Sequence, residues 1–494
     1  MRLDLQTYKE KVYACWLGKN IGGTLGAPFE GKRGTFDVDY YTHDLSLGVL
    51  PNDDLDLQLI FLLAAEKYGK ALRSEHLAEY WLYLVPVDWS EYGQGKNNLK
   101  IGFAPPVSGN LHNEFRNSNG CFIRSEIWAC LHPGHPELAV KYAYEDGIVD
   151  HADEGVYAEV FCAAIESAAF VENDIKALIE IGLSYIPENC AVANAVRFAV
   201  ECVERGMDWK EARKQILTKY PDTFGLMRGD KDLENIPRGE LAFDAPAHMG
   251  LLVMAWLEGA GNFDKSICIA TGCGEDADCT AGTLASILGI FLGKRCFDEK
   301  WLKPIGNEIK TLTIDHTKEF NIPNNIDDLT KRVLNLMPTF MQGYFNCADG
   351  TLEIEYFKPL TQKIEKTGWF EGKSFSKEIE NSFWTIKRES AAFDLNLTLD
   401  SEVLQGKDLN IKVKIFNKFY QQQWIKLSVI CCEFDRIVNK FVCVNQFTAG
   451  DSVAEENITI KTENMVSGIH DIIVVAESNA KISKIAIPLK FIIK

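Results

Sequence analysis

Apolar residues recur every three to four positions along the first two thirds of the chain, the spacing of one face of an α-helix. Clusters of Gly, Pro and Asn separate these segments, and strand-like alternation is sparse. The pattern therefore predicts an all-α domain over residues 1–345. The predicted helices are Tyr8–Leu17, Leu55–Tyr68, Pro136–Asp146, Val156–Val171, Ile175–Tyr185, Ala191–Arg205, His248–Glu258, Thr280–Leu292 and Ile326–Leu336.

Two of these helical segments carry small residues four positions apart. The first series is Ala14, Gly18, Gly22 and Gly26, and the second is Ala281, Ala285, Gly289 and Gly293. A spacing of four places each series on one helix face, where another backbone can approach closely. Because Gly costs roughly 1 kcal/mol relative to Ala inside a helix, tight packing is needed to offset it. The two series predict a compact helical core.

After residue 345 the pattern changes to alternating apolar and polar residues between turns. Leu409–Ile415 alternates strictly, and Ile425–Cys431, Phe441–Val444, Asn457–Lys461 and Ile469–Val475 are similar. This pattern predicts a small antiparallel, immunoglobulin-like β-sandwich over residues 391–494. Residues 346–390 mix aromatic and charged residues and are predicted to form an extended connector packed on the domains. We therefore expect a multi-domain chain with an all-α domain followed by an all-β domain.

Composition limits the classes of protein that fit. The 494 residues are 46% hydrophobic and 25% charged, which favours a folded globular protein. The formal net charge is −18, which repels phosphate backbones and disfavours nucleic acid as a partner. Charges at the N-terminus argue against a signal peptide, and no run of about 18 uncharged apolar residues predicts a membrane span. The 14 cysteines lack CxxC spacing, so we expect reduced thiols in a cytoplasmic protein.

Acidic residues concentrate at segment boundaries: Asp53 and Asp54 open one helix, Asp276 and Asp278 open another, and Glu30 ends a Gly-rich segment. Helix capping explains either Asp pair taken alone. If the two loops meet, however, four carboxylates repel one another unless cations neutralise them. Oxygen ligands select a hard ion, Mg²⁺ or Mn²⁺, and two ions about 3.5–4 Å apart could bind a diol and a water. The sequence leaves both interpretations open.

Five motifs in order along the chain resemble the ADP-ribosylglycohydrolase family. They are the Gly-rich segment that ends at Glu30, Asn52-Asp53-Asp54, Asn119-Gly120, His151 before the helix Val156–Val171, and Gly274–Thr280. The resemblance covers residues 8–345 and leaves out the β-rich region. It implies an all-α helical bundle that holds two Mg²⁺ ions, with Mn²⁺ as an alternative. It also implies hydrolysis of a glycosidic bond at the anomeric carbon of ADP-ribose or a related ribosyl group.

The resemblance implies roles for individual residues. The metal ligands would be Asn52, Asp53, Asp54, Asp276, Asp278 and Thr280. The catalytic residues would be Glu30, on a mobile loop over the site, and Asp276. Asn119 and Gly120 would lie near the phosphate and ribose, and His151 near the ADP-ribose. From the residues alone, His151 could equally be a structural histidine, and Asn119-Gly120 could be only a turn.

Three positions depart from the family pattern. Asn52 replaces a Thr, and its amide oxygen can still bind a hard ion. Cys279 replaces the Thr that follows Asp-x-Asp, and sulfur is a poor Mg²⁺ ligand, so the second ion gains a water, binds more weakly or is absent. Glu275 replaces a Gly and adds a carboxylate nearby.

These departures leave the substrate open between an ADP-ribosylated protein and a ribosylated small molecule. The alternatives to an ADP-ribosyl hydrolase are a hydrolase of another ribosylated metabolite and a non-catalytic ADP-ribose-binding protein. For the β-domain, a structural buttress or a homo-oligomer contact is preferred to carbohydrate binding. Neither a nucleic acid nor a membrane is expected as a partner.

Overall fold

The protein is described by a computed structural model. It describes residues 2–226, 235–341, 344–348, 351–355, 383–390, 392–400, 402–431, 434–445, 452–463, 465–478 and 483–494. Up to residue 341 the described chain is helical apart from three short strands, and from residue 345 onward it is built from strands. The predicted change of class, from a helical domain to a β-rich region, is confirmed.

Sixteen α-helices lie within the described residues. They are α1 Leu5–Gly26, α2 Asp53–Tyr68, α3 Ser74–Leu84, α4 Ser90–Lys100, α5 Val107–Asn110, α6 Glu126–Leu131, α7 Pro136–Gly147, α8 Asp153–Ala169, α9 Ile175–Ser184, α10 Ala191–Glu204, α11 Trp209–Lys219, α12 Ala245–Gly259, α13 Phe263–Gly272, α14 Ala277–Leu292, α15 Glu299–Ile305 and α16 Ile326–Phe340. Many begin after a residue whose side chain accepts an amide hydrogen bond from the first turn, as N-cap residues do. These residues are Asp4, Asn52, Asp174, Asp208, Asn262 and Asn325.

Helices α1 and α14 pack through the two small-residue series predicted from the sequence. A Cβ placed on Gly18 would lie 2.2 Å from the Ala285 carbonyl oxygen, and one on Gly22 would lie 2.2 Å from that of Ala281. Such distances leave no room for a side chain, so the two backbones are in direct contact. Because the contacts advance along α1 as they move back along α14, the end of α1 lies at the beginning of α14.

Fourteen strands are described. They are β1 Arg2–Asp4, β2 Lys32–Arg33, β3 Gly274–Glu275, β4 Phe345–Ala348, β5 Thr351–Glu355, β6 Phe383–Glu389, β7 Phe393–Asp400, β8 Glu402–Val403, β9 Leu409–Asn417, β10 Gln423–Cys431, β11 Phe434–Val444, β12 Val453–Ile460, β13 Gly468–Ser478 and β14 Lys484–Ile493. Strands β2 and β3 pair with each other, and β1, β5 and β4 form a second small sheet in that order. Two larger sheets follow the orders β11-β10-β13-β14-β8 and β12-β9-β7-β6.

The two larger sheets enclose one apolar core. Along β9 the residues alternate between buried and more exposed positions, as the sequence pattern predicts. Buried side chains from both sheets, such as Ile411 of β9 and Leu427 of β10, belong to the same cluster. The β-rich region is therefore a pair of packed sheets, whereas its immunoglobulin-like character stays a prediction.

Part of the predicted connector forms strands. Strand β5 pairs antiparallel with β1, the strand that precedes α1 at the beginning of the helical part. Strand β6 also begins before residue 391, within the predicted connector. Residues 356–382 of the predicted connector lie outside the described residues. Val107 and Leu111, in and just after α5, pack against Ile473 and Val475 of β13 in a small apolar cluster. In the described part of the chain, no helix combines the length and apolar character that a bilayer span requires.

Candidate active site

The contact between α1 and α14 brings two of the predicted acidic motifs to one end of the helix pair. A Cβ placed on Gly26 would lie 2.4 Å from Cα of Asp278, so only a glycine fits at the end of α1. The chain then turns through residues 27–29 to Glu30, while α14 begins after Asp276. Packing of small residues thus fixes how close Glu30 is to the Asp276–Asp278 loop.

The loop before α2 reaches the same place. Asn52 caps α2, because its Oδ1 accepts a hydrogen bond from the Asp54 amide at 2.8 Å. Its Nδ2 donates to Oδ2 of Asp278 at 3.2 Å. A Cβ on Gly23 would lie 2.6 Å from that Nδ2, so this glycine leaves the room that Asn52 occupies. The two Asp loops that the sequence could only suggest as neighbours therefore meet.

Three side chains form a compact set of possible metal ligands. One donor atom each from Asp54, Asp278 and Cys279 lies within 4.8 Å of the others. The Cys279 Sγ donates to Oδ1 of Asp54 at 3.3 Å. All three residues are buried. The thiol that replaces the family's threonine hydroxyl thus lies among the acidic side chains.

The charges in this cluster are only partly balanced. Burial raises the pKa of Asp276 well above its ordinary value, and the carboxylates of Asp278 and Glu30 raise it further. Burial likewise raises the pKa of Asp278, with Asp54 and Glu30 as further causes. Burial and Asp54 raise the pKa of Asp53 to about 6, against a hydrogen bond from Tyr92. Such mutual repulsion is what a bound cation would relieve.

Several buried polar atoms at this place accept or donate no hydrogen bond within the described residues. They are Oδ1 of Asp276, Oδ1 of Asp278 and Oγ1 of Thr280. These side chains are only 2%, 6% and 1% exposed. Because buried polar groups are nearly always satisfied in native proteins, the donor set fits a divalent cation.

Glu30 is connected to the Asp276 loop through the backbone. The next residue, Gly31, donates its amide to the Glu275 carbonyl at 2.7 Å, and the pairing of β2 with β3 continues this contact. The Glu30 carboxylate lies close enough to raise the pKa of both Asp276 and Asp278. Glu30, the predicted catalytic residue at the end of the Gly-rich segment, therefore lies beside the predicted metal ligands.

Glu275 does not face the acid cluster. Its carboxylate accepts hydrogen bonds from Arg33 Nε at 3.0 Å, Arg213 Nη2 at 2.9 Å and the Gly225 amide at 2.9 Å. Its backbone has φ of 56°, a conformation that favours glycine, the residue usual at this position in the resembling family. The additional carboxylate is thus part of a separate buried ion-pair network that holds the loop in place.

Of the predicted substrate-binding residues, Asn119 joins the cluster most directly. Its Nδ2 donates a hydrogen bond to Oδ2 of Asp276, and its side chain is buried.

The other two predicted substrate-binding residues contact other side chains. Gly120 packs against Glu91, since a Cβ on Gly120 would overlap the Glu91 carboxylate. His151 is fully buried, with Nε2 at 2.9 Å from Ser118 Oγ. Its Nδ1 lies 3.1 Å from Oδ1 of Asp150. Contact of these residues with a substrate stays a prediction.

Residues that the sequence analysis did not single out complete the site. Lys19 is buried in α1, with Nζ 3.3 Å from Oδ2 of Asp54 and 2.9 Å from Oε1 of Glu126. Burial alone would lower the pKa of Lys19, but these two carboxylates raise it. Tyr92 donates to Oδ2 of Asp53 at 2.8 Å. The sequence could have pointed to Lys19, because it is the only charged residue between positions 12 and 26 of an otherwise uncharged helical segment.

Comparison with known proteins identifies the helical part. A family model described as ADP-ribosylglycohydrolase matches residues 4–337. A solved structure titled "ADP-ribosylglycohydrolase-related protein complex" matches at 19% identity and a TM-score of 0.44, over 68% of this chain and 100% of that one.

A second structure is the Pseudomonas fluorescens alkylpurine DNA glycosylase AlkC bound to DNA containing an abasic site analog. It matches at 10% identity and a TM-score of 0.16, over 90% of this chain and 100% of that one. A search among curated proteins gave no match. Both TM-scores are low, so the assignment depends on the family match.

Proposed function

The chain belongs to the ADP-ribosylglycohydrolase family and is a glycosyl hydrolase, and from this premise we propose that it hydrolyses the bond at the anomeric carbon of a ribosyl group. ADP-ribose attached to a protein or a small molecule is the proposed substrate. The observation that carries the proposal is the hydrogen bond between Asn52 and Asp278. It joins the two acidic loops in one buried cluster next to Glu30.

We propose that the enzyme depends on a divalent cation. The carboxylates of Asp53, Asp54, Asp276 and Asp278 would hold it, and their oxygen atoms suit Mg²⁺ or Mn²⁺. The Asp276 and Asp278 oxygens that accept no hydrogen bond within the described residues support this assignment. A bound cation supplies positive charge and ligand positions for ribose hydroxyl groups and water.

The chain's own side chains would then have distinct tasks. Asn119 and Asn52 hold the carboxylates of Asp276 and Asp278 in fixed orientations. Glu30 would accept a proton from the attacking water as the water oxygen bonds to the anomeric carbon. The leaving group would depart with the electron pair of the broken glycosidic bond and take up the proton that Glu30 had accepted. The transition state of such a reaction resembles an oxocarbenium ion, which nearby carboxylates stabilise.

Release of ADP-ribose from ADP-ribosylated protein, measured with Mg²⁺, with Mn²⁺ and with EDTA, tests the proposal. We expect turnover that requires a divalent cation, and its loss by about two orders of magnitude or more in Asp276→Ala and Asp278→Ala. Asp208→Ala is the matched control, because Asp208 caps a helix by accepting the Lys210 amide and is far from the cluster in sequence. Full activity in both cluster variants would refute the proposal.

The same assay, extended to small ribosides, separates the alternatives. Turnover of ribosides, without turnover of ADP-ribosylated protein, would mean that the substrate is a ribosylated metabolite. Calorimetric binding of ADP-ribose without any turnover would favour a non-catalytic binding protein. The net charge of −18 supports the proposal that nucleic acid is not a partner. Cytoplasmic location and homo-oligomer formation through the β-rich region stay proposals.

A further inference from the structure

We propose that Cys279 is a metal ligand in this chain, and that the position formed by Asp54, Asp278 and Cys279 takes a thiophilic divalent cation of the Zn²⁺ type rather than Mg²⁺. This proposal rests on the proposed function only for the premise that the site binds a cation. It adds which ion the chain selects at one position and which residue makes the selection.

The first support is the position of the sulfur atom. Sγ of Cys279 lies 3.3 Å from Oδ1 of Asp54, and both residues contribute an atom to the set whose donor atoms lie within 4.8 Å of one another. Any cation held between the Asp54 and Asp278 carboxylates is therefore within reach of the sulfur. A threonine would place an oxygen there, so the exchange changes the chemistry of the ligand set.

The second support is independent of the cysteine. Asp278 is only 6% exposed, so more than nine tenths of it is buried. Its Oδ1 accepts no hydrogen bond among the described residues. Its carboxylate is aimed into the same set of donor atoms, because one of its oxygens is a member of that set. A buried carboxylate oxygen without a donor is unfavourable, because it has lost its contact with water and gained no partner. A cation bound at this position would supply the missing partner.

The donor types decide which ion fits. One sulfur and two carboxylates are three protein ligands, and three protein ligands with an open fourth position are typical of catalytic zinc sites. Mg²⁺ binds oxygen ligands and demands a near-octahedral arrangement, whereas thiolate ligands select Zn²⁺ and similar ions. The carboxylates of Asp53 and Asp276 remain as oxygen ligands for a hard ion beside it.

Cadmium titration of metal-free protein tests the proposal, since Cd²⁺ bound to a thiolate gives an ultraviolet charge-transfer band that an oxygen-only site does not. We expect this band to saturate at one Cd²⁺ per chain and to persist in excess Mg²⁺. Cys279→Thr restores the family's residue and should abolish the band. It should also weaken Zn²⁺ binding by more than the roughly 10- to 100-fold cost of removing a partner outside the ligand set.

The control is Cys202→Ala, which removes another buried thiol on α10 and should leave the band unchanged. Cys279→Ser is a second variant of nearly unchanged size, and thermal melting shows that each variant is folded. Absence of the band in the unmodified protein, its persistence in Cys279→Thr or Cys279→Ser, or its removal by Mg²⁺ would each overturn the proposal.

The titration uses no substrate, so its failure is distinct from failure of the proposed function. Hydrolysis supported by Mg²⁺ with no charge-transfer band would leave the proposed function standing and refute the role of Cys279. A band that depends on Cys279, with no turnover of any ribosyl substrate, would support the thiophilic position and refute the hydrolase.

Discussion

Asn52 donates a hydrogen bond to Asp278 over 3.2 Å, although the two residues are 226 positions apart in the chain. The same side chain caps α2 through its Oδ1. Asn52, and neither member of the Asp53-Asp54 pair considered in the sequence analysis, is the capping residue of α2, and it also joins the site. Asp276, in contrast, precedes α14 without a side-chain capping hydrogen bond. Helix capping does not account for its presence.

The metal-free protein should lose stability as the pH rises from about 4 to above about 6. Burial raises the pKa of Asp53 to about 6, and those of Asp276 and Asp278 are also raised, while the unfolded chain releases these protons near pH 4. Over this interval the folded state binds more protons, so the free energy of unfolding falls as pH rises. Urea denaturation in the presence of a chelator measures this fall.

Asp278→Asn should reduce this slope, because it removes one of the groups that titrate, whereas Asp208→Asn should leave it unchanged. A saturating divalent cation should stabilise the protein more at about pH 7.5 than at about pH 5, where protons compete with it. A chelated protein whose stability increases steadily over the same interval would contradict the expectation.

Lys19→Met should destabilise the protein by roughly 3–5 kcal/mol, because it removes the ammonium group that pairs with the buried carboxylates of Asp54 and Glu126. Urea denaturation measures the change. Lys176→Met is the control, since Lys176 pairs with Glu204 on the surface, where a salt bridge contributes little. Equal losses of unfolding free energy in the two variants would show that the buried ion pairs of Lys19 contribute no more stability than the surface pair of Lys176.

Glu275→Gln should remove the buried carboxylate charge that pairs with both Arg33 and Arg213, and so cost roughly 3–5 kcal/mol of stability. Arg33 lies three residues after Glu30, so a shift of Arg33 would also shift Glu30. We therefore expect kcat to fall more than cation affinity does. Steady-state kinetics and a cation titration measure the two effects, with the exposed Glu240→Gln as control. Equal loss of cation affinity would place Glu275 in the cation site instead.

Gly18→Ala should destabilise the contact between α1 and α14 by at least about 1–3 kcal/mol, because its Cβ would lie 2.2 Å from the Ala285 carbonyl oxygen. Gly250→Ala is the matched control in another helix, where the nearest atom is the movable Cγ2 of Ile216 at 2.9 Å. Thermal melting of the two variants measures the difference. Comparable melting temperatures would mean that the helices separate at little cost.

Most of the fold could be predicted from local patterns. The apolar spacing predicted nine of the sixteen described helices and missed α3–α6, α11, α13 and α15. Alternation predicted strands such as Leu409–Ile415, found within β9. The small-residue series also anticipated the close contact around Gly18 and Ala285. These features depend on residues one to four positions apart, whose relative positions are set by the geometry of a helix or a strand.

The sequence by itself determined the elements, their caps and the residue types available for a cation, because these follow from short-range spacing and side-chain chemistry. Only the tertiary structure decided that Asn52 meets Asp278, that Cys279 lies beside Asp54, and that Glu275 faces Arg33 and not the acid cluster. Such contacts join loops more than 200 positions apart, and helix packing rather than local conformation sets the distances between them.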